Sequence, residues 1–148
     1  MIHIEPHPDF LDIELLESAA RAALEQQSAP DDDITIVLTD DDQMRELNLD
    51  YLGVDAPTDV LSFPASESDP ETGAHYLGDI LISVNRAAQQ AQAAGHSLQA
   101  EAQLLVVHGT LHLLGHNHAD AEQKARMWAA QAEVLKRLGL SHIKIYEE

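Results

Sequence analysis

The alternation of apolar and polar positions changes period several times along the chain, and each change marks an element. Ile2-His3-Ile4 has the pattern of a short strand. From Pro8 and Asp9 onward, Phe10, Ile13, Leu16 and Ala20 share one stripe of a helix that runs to about Gln27. The β-branched run from Ile34 to Thr39 predicts a strand. Asp40 and Gln43 stand at capping-box spacing, so a short helix follows with Met44, Leu47 and Tyr51 at helical intervals. Asp59 to Pro64 and Tyr76 to Ser83 predict two more strands, and Ala65 to Ala74, rich in Ser, Glu, Asp, Pro and Gly, predicts a long loop between them. Ser83 caps a helix that Gly95 ends, and Ser97 caps the next, through Leu104 to Val107 and on to about Leu114. That helix is apolar on nearly every side and is expected to be buried at the centre. A last amphipathic helix begins near Asp120, turns Met127, Val134, Leu135 and Leu138 inward, and ends on Lys136 and Arg137, where the helix dipole favours cations. Strands and helices mixed in this order predict a small α/β or α+β domain.

Composition narrows the picture. A chain of 148 residues fits one domain that buries about 68–70% of its unfolded surface. No apolar run approaches the roughly 18–20 residues of a membrane span, and Met1 to Pro6 lacks the cationic start and apolar stretch of a signal peptide, so a soluble, cytoplasmic protein is expected. The absence of cysteine removes disulfides, thiolate nucleophiles and Cys-type zinc fingers, and leaves His and carboxylate as the strong metal ligands. A net charge of −18 excludes a protein that coats nucleic acid by bulk electrostatics. The acidity is uneven: 19 acidic and 2 basic residues precede the cut after Ala74, and 7 acidic and 6 basic follow it. Asp31-Asp32-Asp33 and Asp40-Asp41-Asp42 are expected to be solvated faces or helix starts.

Nine histidines stand out in so acidic a chain, and four of them fall between His108 and His118. His108 and His112, four apart on the buried helix, lie on one face about 5–6 Å apart, close enough to converge on one ion. Gly115 stops the helix and turns the chain, which brings His118 back toward the pair. Three neutral imidazoles with an open position are the pattern of a catalytic zinc site. His116, beyond the glycine, is expected to point elsewhere, and His3, His7, His75, His96 and His142, without ligand spacing, are expected on the surface or in loops. The same spacing fits a metzincin protease, but there a Glu general base follows the first His, and here that position is Gly109. Phosphodiester hydrolysis remains open, because a metal lowers the pKa of bound water toward about 7 and polarises phosphoryl oxygen.

His108-Gly-Thr-Leu-His112-Leu-Leu-Gly115-His-Asn-His118 closely resembles the signature of the YbeY family of metal-dependent bacterial endoribonucleases. Pro57-Thr58-Asp59-Val60-Leu61-Ser62-Phe63-Pro64, Leu77-Gly78-Asp79-Ile80 with Ser83, and Leu47-Asn48 with Tyr51 resemble further family blocks, in the right order. The resemblance implies a single compact α/β (α+β) domain over 1–148, with a small mixed sheet and about five helices around a central metal-bearing helix. It implies one zinc ion on His108, His112 and His118, single-strand-specific cleavage of RNA, and a role in maturing the 3′ end of small-subunit ribosomal RNA and in ribosome quality control. The expected partners are ribosomal RNA, the small ribosomal subunit and its assembly factors, with no membrane. A non-catalytic, metal-containing ribosome-assembly factor is the alternative from a different class.

Two departures bear on the chemistry. The family usually has Arg after the tyrosine matching Tyr51, where this chain has Leu52, so Arg86, or failing that Arg45, is the candidate to hold a phosphate beside the metal; Arg86 therefore joins the three histidines as a candidate catalytic residue. His116-Asn117 replaces an aromatic residue followed by Asp, which removes a negative partner for a ligand imidazole. Asp59 and Asp79 are candidates either to orient a ligand or to cap a turn; Asn48, Thr58 and Ser62 either contact RNA or serve turn chemistry; Thr110 is expected to pack within its helix.

Overall fold

The computed structural model of the chain describes residues 1–68, 70–71, 75–117 and 119–143. The elements change where the periodicity does: β1 (Ile2–Glu5), α1 (Ile13–Gln26), β2 (Asp33–Thr39), α2 (Asp41–Leu52), β3 (Val60–Ser68), β4 (His75–Ser83), α3 (Val84–Ala94), α4 (Leu98–Leu113) and α5 (Ala121–Arg137). The caps expected at Asp40, Ser83 and Ser97 are made, and Asp120, near which the last helix was expected to begin, caps that helix. Asp40 accepts from the Gln43 N–H, Ser83 from Arg86, Ser97 from Ala100 and Asp120 from Gln123. These bonds satisfy N–H groups that the first helical turn leaves without a partner.

The four strands form one mixed sheet in the order β1-β2-β4-β3. β1 and β4 run parallel to β2 on its two sides, with α1 as the crossover between β1 and β2, and β3 pairs antiparallel with β4 at the edge. Ile34, Ile36 and Leu38 of β2 and Ile80 and Ile82 of β4 bury one face of the sheet. α4 lies against that face, buried around most of its circumference, with Leu16, Ala20 and Leu24 of α1 and Met127, Val134 and Leu135 of α5 in the same core. A helix apolar all round has nowhere else to go. Its approach to β4 is close: a Cβ at Gly109 would stand 2.7 Å from Ile80 Cγ2.

Three expectations need correction. Phe10 precedes α1 and is 62% exposed, because Asp12 caps the helix at Leu15 and starts it at Ile13. Tyr51 is 67% exposed, since α2 buries only Met44 and Asn48 and its last turn stands off the core. The expected loop from Ala65 to Ala74 is strand over its first four residues: β3 continues past Pro64 to Ser68, with a register shift between Pro64 and Glu67, and β4 begins at His75. Residues 69 and 72–74 of that span lie outside the described residues. Among the described residues no helix is long and apolar enough to cross a membrane.

Candidate metal centre

The C-terminal half of α4 presents His108 and His112 on one face, both half-buried. Their Nε2 atoms are 3.0 Å apart and the rings meet edge to face with centroids 4.6 Å apart. Two imidazole nitrogens each about 2.0–2.1 Å from a tetrahedral zinc lie about 3.3 Å apart, so the pair is already spaced to share one ion. The far side of His108 is held as well. Its Nδ1 donates to Oε1 of Gln131 at 3.0 Å, which leaves Nε2 with the lone pair that faces His112. Gln131 comes from α5 and is 1% exposed; the Trp128 ring, one turn earlier, lies 5.7 Å from the His108 ring. Fixing the tautomer and orientation through the second nitrogen is how ligand imidazoles are prepared for a metal. These donors fit a zinc ion.

The chain turns after α4 as expected. Gly115 takes φ +98° and its N–H returns to the His112 carbonyl. His118 lies outside the described residues, and among those described no group of three His, Asp or Glu side chains is arranged to hold an ion. His116 points away from the pair, with Nε2 2.7 Å from Gln27 Oε1 at the end of α1. His96 lies in the loop between α3 and α4, as expected, but it is not at the surface. Its side chain is 7% exposed and its Nε2 lies 2.7 Å from Glu101, equally covered, where burial pushes the Glu101 carboxyl up from its ordinary value against the pull of His96. His3, His75 and His142 are at least partly exposed, and His7 meets the Ile4 carbonyl.

The other candidates are placed as follows. Ser62 reaches from β3 to the Gly109 carbonyl at 3.3 Å, tying the edge strand to the helix between the two histidines. Thr110 donates to the Val106 carbonyl within α4, and Asn48 closes the turn after α2 on the Ala56 carbonyl. Asp59 accepts from its neighbours Val60 and Thr58, and Asp79 takes the Tyr76 hydroxyl. Arg45 forks onto Asp55 at the surface, and the bond holds that carboxyl below its usual range. Arg86 is not brought to the histidine pair: it stands 3.6 Å from Asp41 and lines a cleft with Pro57, Thr58 and Asp59 in which neither histidine takes part. Gly109 faces Ile80, so a Glu at that position would be driven into the sheet; the metzincin general base has no room here. The residue that sequence reasoning missed is Gln131. Its signal was an amide set among Met127, Val134 and Leu135 on the inward stripe of α5.

Comparison with known proteins bears on all of this. A family model described as "Endoribonuclease YbeY" matches residues 8–139. The chain belongs to the YbeY family. A YbeY endoribonuclease of Heliobacterium modesticaldum is 47% identical over 137 residues, covering 85% of this chain and 82% of that protein. Another, of a Roseiflexus species, is 43% identical over 145 residues, covering 93% and 91%. The solution structure of a Thermotoga maritima protein superposes with a TM-score of 0.60 at 26% identity, over 100% of this chain and 99% of that one. The YbeY relatives are RNA-hydrolysing enzymes by name, and the single α+β domain with five helices and a four-stranded mixed sheet has its counterpart in the solved structure.

Proposed function

We propose that this YbeY-family endoribonuclease is zinc-dependent, that His108, His112 and His118 hold one zinc ion per chain, and that it cuts single-stranded RNA in maturing the 3′ end of small-subunit ribosomal RNA and in ribosome quality control in the cytoplasm. Residues 1–148 form a single catalytic domain. The observation that carries the metal reading is the 3.0 Å approach of the two Nε2 atoms, with His108 locked from behind by Gln131. A bound zinc ion would supply Lewis acidity toward a phosphoryl oxygen and a water acidified to a pKa of about 7.

The chain's own residues do the rest. Gln131 holds the His108 ring in the tautomer whose Nε2 points into the site, and Ser62 anchors the helix between the histidines to β3. Arg86 belongs to the substrate side, holding RNA in its own cleft. The protein's field repels RNA at long range at a net charge of −18, while the segment from His108 to His118 carries no acidic residue. Binding is therefore local, and the small subunit and its assembly factors supply much of the specificity.

Metal analysis of the purified protein, with cleavage of single-stranded RNA by wild type and His112→Ala, tests the reading. About one zinc per chain and chelator-sensitive cleavage are expected, both lost in the variant. Full activity after verified metal removal would refute it.

A further inference from the structure

We propose that the cleft between the segment leading into β3 and the exposed side of α3 is a subsite for a guanine base of the RNA substrate. The cleft has a volume of about 260 Å³ and is lined by Pro57, Thr58, Asp59, Arg86, Gln89 and Gln90, with Ala93 at its end. Sites for drug-sized ligands run from about 300 to 1,000 Å³, so this one suits a single heterocycle better than a longer stretch of chain. The inference rests on the endoribonuclease reading for its choice of ligand.

The charges argue against a phosphate. Arg86 brings one cation, but Asp41 stands 3.6 Å from its Nη2 and Asp59 is in the wall, so the local balance is negative. What the cleft offers is directional hydrogen bonding. Arg86 Nε is buried with no hydrogen-bond partner among the described residues, and the Gln89 and Gln90 amides make no side-chain hydrogen bond there either. Asp59 uses Oδ1 for the Val60 N–H and the Thr58 hydroxyl, which leaves Oδ2 to accept. A buried polar atom without a partner is costly, and a ligand acceptor removes that cost. Guanine fits this set: O6 and N7 accept from a guanidinium on one edge, and the N1 and N2 hydrogens donate to a carboxylate on the other. Adenine would turn its N6 amino group toward Arg86 and offer Asp59 no matching pair of donors. Bases of single-stranded RNA are read in this way, splayed out and bonded on their edges.

Position supports the assignment. Asp59 stands three residues before Ser62, and Ser62 touches the carbonyl of Gly109, next to His108. At about 3.3 Å per strand residue the cleft lies about 10 Å from that contact along the seam of β3 and α4. A strand cut at the histidine pair can therefore place a nearby base in the cleft.

The test is an NMR shift titration of the full chain with guanosine, adenosine and inorganic phosphate. Nucleosides carry no phosphate that could bind at the histidines, so the readout is independent of cleavage. Guanosine is expected to bind at least about tenfold more tightly than adenosine, with shifts at Thr58, Arg86 and Gln90, and phosphate is expected not to displace it. Asp59→Asn keeps the Val60 contact but turns a donor toward N1, and should abolish the preference; Gln90→Ala, on the open side of α3, should weaken guanosine severalfold with the fold intact by circular dichroism. Equal affinity for both nucleosides, displacement by phosphate, an unchanged preference in Asp59→Asn, or an unchanged guanosine affinity in Gln90→Ala would overturn the subsite. The metal reading fails separately, on loss of zinc dependence.

Discussion

Gly109 sits between the two histidines where α4 presses on the sheet, and adding one methyl group there tests how that helix is held. An alanine Cβ would lie 2.7 Å from Ile80 Cγ2 and 3.3 Å from both Cγ1 and Cδ1. Ile80 is fully buried on β4, between β2 and β3, and Cγ2 branches from Cβ, so only a change of χ1 or of backbone moves it aside. On helix propensity alone, Gly109→Ala gains about 1 kcal/mol. Overpacking a tight core costs about 1–3 kcal/mol, and at 2.7 Å from a branch methyl that cannot swing away the upper part of that range, about 2–3 kcal/mol, applies, so the net expectation is a loss of about 1–2 kcal/mol. For a chain of this size that lowers Tm by roughly 2–8 °C. Urea unfolding of the wild type, each single variant and the double variant with Ile80→Ala separates the two contributions. Ile80→Ala costs about 2–5 kcal/mol by itself, but in that background the clash is gone and Gly109→Ala should be stabilising by about 1 kcal/mol. The reversal of sign is the prediction. If Gly109→Ala shifts stability equally in both backgrounds, or stabilises the otherwise native chain, the close approach of α4 to β4 does not set this position.

Other measurements follow from the same contacts. Gln131→Leu removes the acceptor on His108 Nδ1 and should weaken zinc binding about 10–100-fold in a chelator competition, with a parallel loss of cleavage. Glu101 holds its proton more tightly in the folded chain than its ordinary 4.5, because burial disfavours the carboxylate; His96 opposes that shift and Asp59 adds to it. The native state therefore binds more protons than the unfolded one above pH 4.5, and this contribution to stability falls as pH rises through the folded pKa. Glu101→Gln, which still bonds His96, should flatten that part of the stability–pH curve followed by urea midpoint; an unchanged slope would count against it. Ser83→Ala removes the cap on α3 and the donor to Asp41, and should cost about 0.5–2 kcal/mol by the same assay. Leu52→Arg, which gives an exposed position the guanidinium usual in the family, should raise the rate of RNA cleavage in a single-turnover assay.

Local chemistry was readable from the sequence, and long-range packing was not. Asp40, Ser83 and Ser97 each cap the helix they were expected to cap, because a cap depends on three or four consecutive residues. The pairing of His108 with His112 is equally local, a matter of helical spacing. Gln131 meets His108 across 23 residues and only through the docking of α5 on α4, so its place in the stripe hinted at burial but named no partner. His96 and Glu101 are close in sequence, yet that spacing does not mark both side chains as covered, as they are in the fold. Phe10 and Tyr51 were placed inward by periodicity alone; Phe10 precedes its helix, and Tyr51 meets the Phe63 ring edge-on but stays mostly exposed. The hairpin of β3 and β4 extends through a stretch whose composition reads as loop, because pairing across the turn outweighs the weak strand preference of Ser and Glu.

Pro64 occupies an exposed position on β3, the outer strand of the sheet, opposite Gly78, and the ladder shifts register just beyond it. A proline offers no N–H to an incoming strand, and an irregular ladder spoils the regular spacing that a second sheet edge would need. At Gly78 the backbones come so close that a Cβ would lie 2.2 Å from the Phe63 carbonyl, so the irregularity is fixed by the chain's own packing. The edge that Ser62 ties to the helix of the histidine pair is thus closed to strand exchange between copies. The enzyme can be held at high local concentration and leave this border unavailable for amyloid-like growth.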